Sequence, residues 1–404
     1  MRTQSACLAS ALSLALAGCP GVIDGGGGGG GGGTSNPVDG NRDGSLTSAL
    51  GKTFGEPDDS FSQAIVAVFD GAGVARLQGT VSSIDDIDVF QLGSIARGDR
   101  IVVDTATPNS PLDVSISLFD DGGRLVNTND DRGGSGANFL DSFIDFVARH
   151  DGDPYYLAVT RSAFADPGTT TGGYTVDVNV TPGADVSAPK GQIIMLDFDG
   201  AFVDSPVLGR VTVDPFDAAS ISPLYSGRTQ LIKDTIRATF EQNYARFDVT
   251  ILTTDDPPPL AGTKFSSLFY GGFNRGAFGI AENVDLYNID CCDDAIIFTE
   301  SFSPDIFFAN PTATEMAVAI GNVGSHEAGH LLGLNHVDDD LDLMDDQSAP
   351  DAFLDDQEFM ESPLSTDIMP IGTQDGVWLL NEIVGPSPDE PARPTARNLV
   401  VNRR

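Results

Sequence analysis

The segment SHEAGHLLGLNH, residues 325 to 336, places three of the chain's four histidines within eleven positions. His326 and His330 lie four residues apart, so on an α-helix both imidazoles project from one face and can bind one ion. Gly333 can take a positive φ, which ends the helix and brings His336 round as a third nitrogen ligand. Three imidazoles with an open fourth position are typical of a catalytic zinc site, because a structural site has a fourth protein ligand, usually sulfur. The sequence therefore predicts Zn2+ bound by these three histidines.

Glu327 stands directly after the first predicted ligand. On a helix this position directs the carboxylate into the space over the metal and keeps it out of the coordination shell. Such a carboxylate can accept a proton from the attacking water and return it to the departing amine, while zinc polarises the carbonyl under attack. The sequence therefore predicts Glu327 as the general base and acid of a hydrolase.

The complete pattern, H-E-x-x-H-x-x-G-x-x-H, is far more specific than H-E-x-x-H alone. Through it the chain resembles the metzincin metallopeptidases over residues 190–385. The resemblance implies an α+β zincin-type catalytic domain that hydrolyses peptide bonds with Zn2+. It also implies the role of each motif position, with His326, His330 and His336 as ligands, Glu327 as catalytic acid and base, and Gly333 as the turn. A glutamate ligand from a later helix is disfavoured, since His336 already fills that place.

Metzincins pass through a methionine turn beneath the metal, and the resemblance offers two candidates. Met344 in LDLMDD lies eight residues after His336, a spacing similar to that of the matrixins, and it is the preferred candidate. Met369 in TDIMPIG lies thirty-three residues after the same histidine and is the alternative. Neither is followed two positions later by the tyrosine ligand of astacin-like enzymes, since Asp346 and Ile371 stand there.

The order of elements in residues 190–385 predicts a mixed α/β layer. Strands are predicted in QIIMLDFDG, DVTILTT, SSLFYGG and DAIIFTES. Between the first two strands, four apolar residues recur at every fourth position, as on one helical face: Ile232, Ile236, Phe240 and Tyr244.

A second helix, which carries the histidine motif, is predicted to begin near Thr312. Thr312 and Glu315 have the spacing of a capping box. Gly321, Gly324 and Gly329 inside this helix each cost about 1 kcal/mol relative to alanine. That cost indicates that another element packs closely against the helix.

Residues 51–182 show short alternating runs broken by Asp, Gly and Asn, which is typical of an all-β antiparallel sandwich. The ordered series DDIDVFQL, SPLDVSISLFDDGGRLVNTNDD, DPYYLAVT and GGYTVDVNV resembles the bacterial pre-peptidase C-terminal (PPC) domain, a jelly-roll-like module attached to secreted peptidases. The resemblance implies a binding or stabilising role, calcium-dependent in some members, and no catalysis. His150 in ARHDGDP is interpreted as an ordinary loop histidine.

The N-terminus combines one basic residue with the apolar run ACLASALSLALAG, which is too short for a membrane span and is typical of a secretory signal. Its end, LAGC, resembles the lipobox of bacterial lipoproteins. The resemblance implies a signal peptide at residues 1–18 and a lipid on Cys19. The protein would then be extracytoplasmic and anchored to a bacterial membrane, at the outer membrane or the cell surface. An ordinary signal peptide that contains a cysteine is the alternative.

Residues 19–50 include nine consecutive glycines and predict a flexible linker that holds the following domain clear of the membrane. Within this linker, DGNRDG opens like an EF-hand loop, but Leu50 stands where a bidentate acid should close the calcium shell. We therefore interpret it as linker. Residues 386–404 are expected to form a C-terminal tail.

A formal charge of -37 excludes nucleic acid as a partner, because the phosphate backbone would be repelled. The many Asp-rich loops leave two interpretations open, a solvated acidic surface and structural Ca2+ sites. Cys291 and Cys292 are the thiols left after the signal and the lipid site, and adjacent cysteines build no disulfide framework.

Together these features predict a membrane-tethered zinc endopeptidase that acts on extracellular proteins or peptides. Two alternatives remain: a catalytically silent surface binding or adhesion lipoprotein, and a zinc hydrolase of a non-peptide amide or ester. The acidic loop after His336, residues 337–370, further suggests a preference for basic residues near the scissile bond.

Overall fold

The computed structural model describes residues 58–133, 140–205, 208–346 and 349–388, together with the backbone of two short paired strands, β1 (Leu46–Thr47) and β2 (Thr53–Phe54). The expected signal peptide, the lipid site Cys19, the DGNRDG loop and most of the expected tail lie outside the described residues. The described chain is mostly β, with few helices and with sheets of mixed type. None of its described helices is both long enough and apolar enough to cross a bilayer.

Two packed sheets form a β-sandwich in the first half of the described chain. One sheet has the strand order β3-β5-β10-β7-β8, and the other has the order β4-β11-β6-β9. The strands are β3 (Ile65–Val66), β4 (Val74–Val81), β5 (Asp88–Ile95), β6 (Arg100–Ala106), β7 (Val114–Phe119), β8 (Leu125–Asn129), β9 (Phe143–Val147), β10 (Gly152–Arg161) and β11 (Gly172–Thr181). Neighbours pair antiparallel except β3, which runs parallel to β5, so the expected antiparallel pattern is not complete.

Alternation of apolar and polar residues explains most of the sandwich strands. In β6, Ile101 and Val103 are fully buried while Arg100 and Asp104 face solvent, the pattern of a strand with one face on a core. β7 also alternates in sequence, but its outward-facing residues Ser115, Ser117 and Phe119 are buried as well. Phe119 is covered by the α/β unit of the second half.

The second half forms an α/β unit around a sheet with the order β15-β12-β16-β18-β17. The first four of these strands are mutually parallel, and β17 runs antiparallel at the edge. The strands of this half are β12 (Gln192–Asp197), β13 (Ala201–Ser205), β14 (Gly209–Val213), β15 (Val249–Thr253), β16 (Ser266–Tyr270), β17 (Gly279–Ala281), β18 (Asp294–Ile297), β19 (Glu361–Pro363) and β20 (Thr373–Asp375). β13 and β14 form one hairpin, and β19 and β20 form another.

The helices are α1 (Ala218–Ile221), α2 (Thr229–Asn243), α3 (Ala313–Leu331) and α4 (Gly376–Ile383), with single 3-10 turns at Pro223–Tyr225, Thr299–Ser301, Pro304–Ile306 and Pro350–Leu354.

The apolar face predicted for α2 is buried against the sheet and α3. Thr312 caps α3, and the capping box with Glu315 is formed in both directions. These predictions are confirmed.

The glycines of α3 lie where other elements pack closely against the helix, as the sequence predicts from their cost in helix stability. A Cβ at Gly321 would meet Thr239 of α2, and one at Gly324 would meet Tyr270 and Phe240. The helix therefore packs more closely on α2 and the sheet than larger residues would allow.

The sandwich and the α/β unit share an apolar contact. Phe119 and Leu125 of the sandwich form one buried cluster with Leu364 and Met369 of the α/β unit. Polar contacts cross the same boundary, such as the bond from the Arg149 guanidinium to the carbonyl of Glu382 at 2.6 Å.

His150 lies at this boundary and is not the ordinary loop histidine that the sequence suggests. Its side chain is mostly buried, with Nε2 3.5 Å from the Asp120 carboxylate and 3.1 Å from the Tyr155 hydroxyl. Its ring meets that of Trp378 edge-on, with ring centres 4.8 Å apart.

Candidate metal centre

The three predicted ligands converge at the C-terminal end of α3. The Nε2 atoms of His326 and His330 are 3.0 Å apart, and those of His330 and His336 are 3.1 Å apart. The third side, between His326 and His336, is 3.2 Å. Tetrahedral zinc with nitrogen ligands at 2.0–2.1 Å requires about 3.3 Å between ligand atoms. The triangle therefore fits one zinc ion with little adjustment.

Hydrogen bonds orient the first two imidazoles for ligation. Nδ1–H of His326 donates to the carbonyl of Leu343 at 2.7 Å, and Nδ1–H of His330 donates to the carbonyl of Leu334 at 2.8 Å. Donation from Nδ1 places the lone pair on Nε2, where the three rings meet. Burial lowers the pKa of His326 to about 4 and that of His330 to about 3, so both rings are neutral at ordinary pH.

Gly333 turns the chain with a φ of +92° directly after α3. The amide of Leu334 donates to the carbonyl of Gly329, and the amide of Gly333 donates to that of His330. These two bonds form a Schellman motif, which requires the left-handed residue that glycine supplies most readily. The turn brings His336 back toward the helix that carries the other two histidines.

Met344 lies fully buried beneath the histidine helix. A Cβ at Gly329 would stand 2.5 Å from its sulfur, which accounts for the glycine at that position. Asp342 holds the turn, since its carboxylate accepts from the amide of Met344 at 2.9 Å and from the Ser362 hydroxyl at 2.8 Å. Met369 is equally buried but belongs to the contact with the sandwich.

Residues that the sequence analysis did not identify hold the third histidine. The side-chain amide of Gln374 pairs with both backbone groups of Asn335, at 2.7 Å each. The amide of Ser365 donates to the carbonyl of His336 at 3.1 Å. Gln374 lies 38 positions beyond His336, and no spacing rule connects the two residues.

Glu327 follows His326 on α3, and its side chain lies in a confined space against β17. Its side chain is buried and packs on β17, where a Cβ at Gly279 would collide with the carboxylate. Burial raises the pKa of Glu327 to about 8, and a hydrogen bond from the amide of Ala281 partly opposes this rise. The group can therefore hold or release a proton near neutral pH.

Among the described residues, the three histidines are the only group of three or more His, Cys, Asp or Glu side chains close enough to share a metal ion. Cys291 and Cys292 are free thiols and do not join the histidines. The expected Ca2+ sites therefore find no support in the described part of the chain.

No protein-family model matches this chain, and no curated protein matches it. The solved structures that resemble parts of it include the following three. The lysozyme inhibitor PliG of Aeromonas hydrophila has 12% identity and a TM-score of 0.23, over 29% of this chain and 96% of its own. The pre-peptidase C-terminal domain of a Bacillus anthracis collagenase has 16% identity and a TM-score of 0.19, over 29% and 94%. A zinc-dependent peptidase from Methanocorpusculum labreanum has 16% identity and a TM-score of 0.24, over 41% and 93%. Scores of this size leave the site to be argued from its own geometry.

Proposed function

We propose that this chain is a zinc-dependent endopeptidase. The observation that carries the proposal is the triangle of three Nε2 atoms, 3.0 to 3.2 Å on each side, with Glu327 buried at the position directly after the first ligand, His326. His326, His330 and His336 would hold the ion and leave its fourth position open. Bound zinc would supply a Lewis acid for the substrate carbonyl and would make water more acidic.

Glu327 would act as the proton carrier of the reaction. Its carboxylate accepts a proton from water as the oxygen attacks the carbonyl carbon, and its protonated form gives that proton to the leaving nitrogen. The Ala281 amide and the Gly279 backbone hold the carboxylate in one place during both transfers.

β17 favours a peptide as the substrate. This strand is the edge of its sheet, paired on one side with β18, and Glu327 packs against it. An extended peptide could add to the side of β17 that faces away from β18, through the backbone groups there that do not bond to Glu327, a common mode of peptide binding. Its scissile bond would then lie next to Glu327 and the metal.

The remaining parts of the proposal rest on the sequence. Cys19 would carry the lipid, residues 19–50 would form the linker, and the enzyme would act on extracellular proteins at the membrane surface. The sandwich would be the PPC-like domain of residues 51–182, the catalytic domain would span residues 190–385, and Met344 would form the methionine turn.

The proposal is tested by comparing the wild type with Glu327→Gln, which removes the proton carrier and keeps the side-chain shape. Bound zinc is measured by elemental analysis, and hydrolysis is measured with quenched casein and a peptide library. We expect one zinc in both proteins and a loss of activity of about 100- to 10,000-fold in the variant. Glu241→Gln, an exposed substitution on α2, serves as the control and should keep full activity.

The other outcomes separate the alternatives. Zinc in both proteins without peptide hydrolysis would favour the silent binding protein, or the non-peptide hydrolase if model esters or amides were cleaved. A wild type without zinc would overturn the site. In the peptide library, absence of enrichment for Lys or Arg would refute the expected basic preference.

A further inference from the structure

One continuous segment, residues 364–374, holds the third histidine on both sides. At its end, Gln374 fixes the backbone of Asn335, directly before His336. At its start, the amide of Ser365 fixes the carbonyl of His336 itself. The segment closes on itself through the bond from the Leu364 amide to the Gly372 carbonyl at 3.2 Å. The position of the ligand therefore depends on where this segment lies.

The outer side of the same segment packs on the sandwich. The amide of Thr373 donates to the carbonyl of Gly123 at 3.0 Å, and Thr373 bridges in parallel to Arg124. Gly372 has a φ of +86° and lies against the sandwich so closely that a Cβ there would collide with the ring of Phe119. The contact thus joins the hairpin β19–β20 to the sandwich turn between β7 and β8.

That sandwich turn is itself rigidly held. Asp120 is fully buried and accepts from the Arg124 guanidinium, with the Nε bond at 2.9 Å. The same carboxylate accepts from the amides of Gly122 and Arg124, and the guanidinium lies 5.6 Å from the ring centre of Trp378. A charge-assisted network of this kind in a buried setting gives the segment a fixed surface to pack against.

We propose that the β-sandwich positions the third metal ligand, through Gln374 and the segment 364–374, and so is an integral part of the metal centre. The inference rests on the metal site of the proposed function but not on its peptidase activity. Gln374 is then a positioning residue that acts on the metal through Asn335 and His336. Partners of this kind typically change metal affinity by about 10- to 100-fold.

The test measures zinc affinity of the full chain by competition with a chromophoric chelator, and the visible spectrum of the Co2+-loaded protein. Gln374→Met removes both bonds to Asn335 while keeping the side-chain length. Gly372→Ala pushes the segment away from Phe119 without touching Gln374. We expect each variant to bind zinc about 10- to 100-fold more weakly than the wild type and to show an altered Co2+ spectrum.

Two matched controls separate positioning from simple loss of stability. Gln192→Met removes a buried glutamine that bonds to Ser266 and Asn288. Gly376→Ala adds a methyl group near the same hairpin, where the built Cβ meets neighbours only at 3.5 Å or more. Neither control should change the zinc affinity or the Co2+ spectrum, even where the melting temperature falls.

Unchanged zinc affinity in Gln374→Met would overturn the role of this residue. If Gln374→Met bound zinc more weakly while Gly372→Ala kept the zinc affinity of the wild type, the role of the sandwich would be overturned. Because both measurements use the metal alone, their result is separate from whether casein is cleaved. Loss of zinc affinity in the controls to the same extent would assign the effect to general destabilisation and would also overturn the proposal.

Discussion

Gly333 shows how much of the site depends on a single backbone conformation. Its φ of +92° belongs to the left-handed region, and its backbone lies against another loop, where a Cβ would meet the carbonyl of Asp285 at 2.7 Å and the Cα of Leu286 at 2.9 Å. Both constraints exclude a side chain. Only glycine allows the turn that places His336 opposite the helix.

Gly333→Ala should destabilise the protein and weaken zinc binding together. The left-handed conformation alone costs an alanine about 1 kcal/mol, and the collision with Asp285 and Leu286 adds to this. Gly227→Ala is the control, because Gly227 has a φ of +74° with open space around its Cβ position. We expect the urea midpoint to fall in both variants and further in Gly333→Ala, with zinc affinity reduced in that variant alone. Equal effects on both measurements would contradict the argument.

At the scale of single residues, the sequence predicts those contacts that depend on the spacing of nearby residues. The convergence of His326, His330 and His336 follows from the helical period and one glycine turn. Gln374 could not be predicted, because it reaches Asn335 only after the chain has passed through a long loop and a hairpin. A buried glutamine whose side-chain amide pairs with a distant backbone N–H and C=O leaves no pattern in the amino-acid sequence.

The capping box of α3 is a local signal whose energetic effect can be measured apart from the site. Thr312→Ala removes the bond from the Glu315 amide to the threonine hydroxyl and should cost about 1 kcal/mol. Zinc affinity should stay unchanged, because the ligands lie at the opposite end of this 19-residue helix. Thr235→Ala inside α2 is the control, measured by thermal unfolding with and without zinc. A loss of zinc affinity in Thr312→Ala would show that the whole helix shifts.

Asp293, directly before β18, is a buried acid that makes stability depend on pH. Burial raises the pKa of Asp293 to about 9, and one of its carboxylate oxygens has no hydrogen-bond partner. The folded protein therefore keeps a proton that the unfolded chain releases above its ordinary pKa of 3.8. Stability should fall as pH rises from about 4 toward 9.

Asp293→Asn removes this dependence. We expect the variant to be more stable than the wild type at pH 8 by at least about 1 kcal/mol, since one pKa unit corresponds to 1.36 kcal/mol. The difference should shrink at pH 5. Urea unfolding at both pH values tests this, with the exposed Asp234→Asn as a variant that removes the same charge. A wild type whose stability rises from pH 5 to pH 8 relative to Asp293→Asn would refute the prediction.

Elements were predictable where their periodicity extends far enough. α2 and α3 span several turns, and β12, β15 and β16 are apolar runs that end at turn-forming residues. Their sequence patterns are therefore long enough to predict the element type. β17 and β20 have three residues each, too few to show alternation. β17 packs against Glu327, and β20 carries Gln374, which holds the residue before the third histidine. The elements that border the site were therefore the least predictable ones.

The docking of the two units explains why Phe119, on the outward face of β7, is buried. One face of its sheet packs on the sandwich core, and the other packs on Leu364 and Met369. A sequence pattern reports only that a residue is apolar, so the second buried face could not be assigned to a partner. Tyr287 and Trp378 of the α/β unit pack against both cores and thereby join them.

Trp378 is the chain's single tryptophan, so its fluorescence reports on this boundary without labelling. If the units unfold as one body, the fluorescence and the far-ultraviolet circular dichroism should change at the same urea concentration. Tyr287→Phe deletes the 2.6 Å bond to the Val126 carbonyl and should lower both midpoints together, by about 1 kcal/mol of stability. Fluorescence that changes well before the circular dichroism would mean that the units separate before either unfolds. In that case the sandwich could dissociate from the α/β unit while that unit stayed folded. His336 would then have to be positioned without contacts from the sandwich.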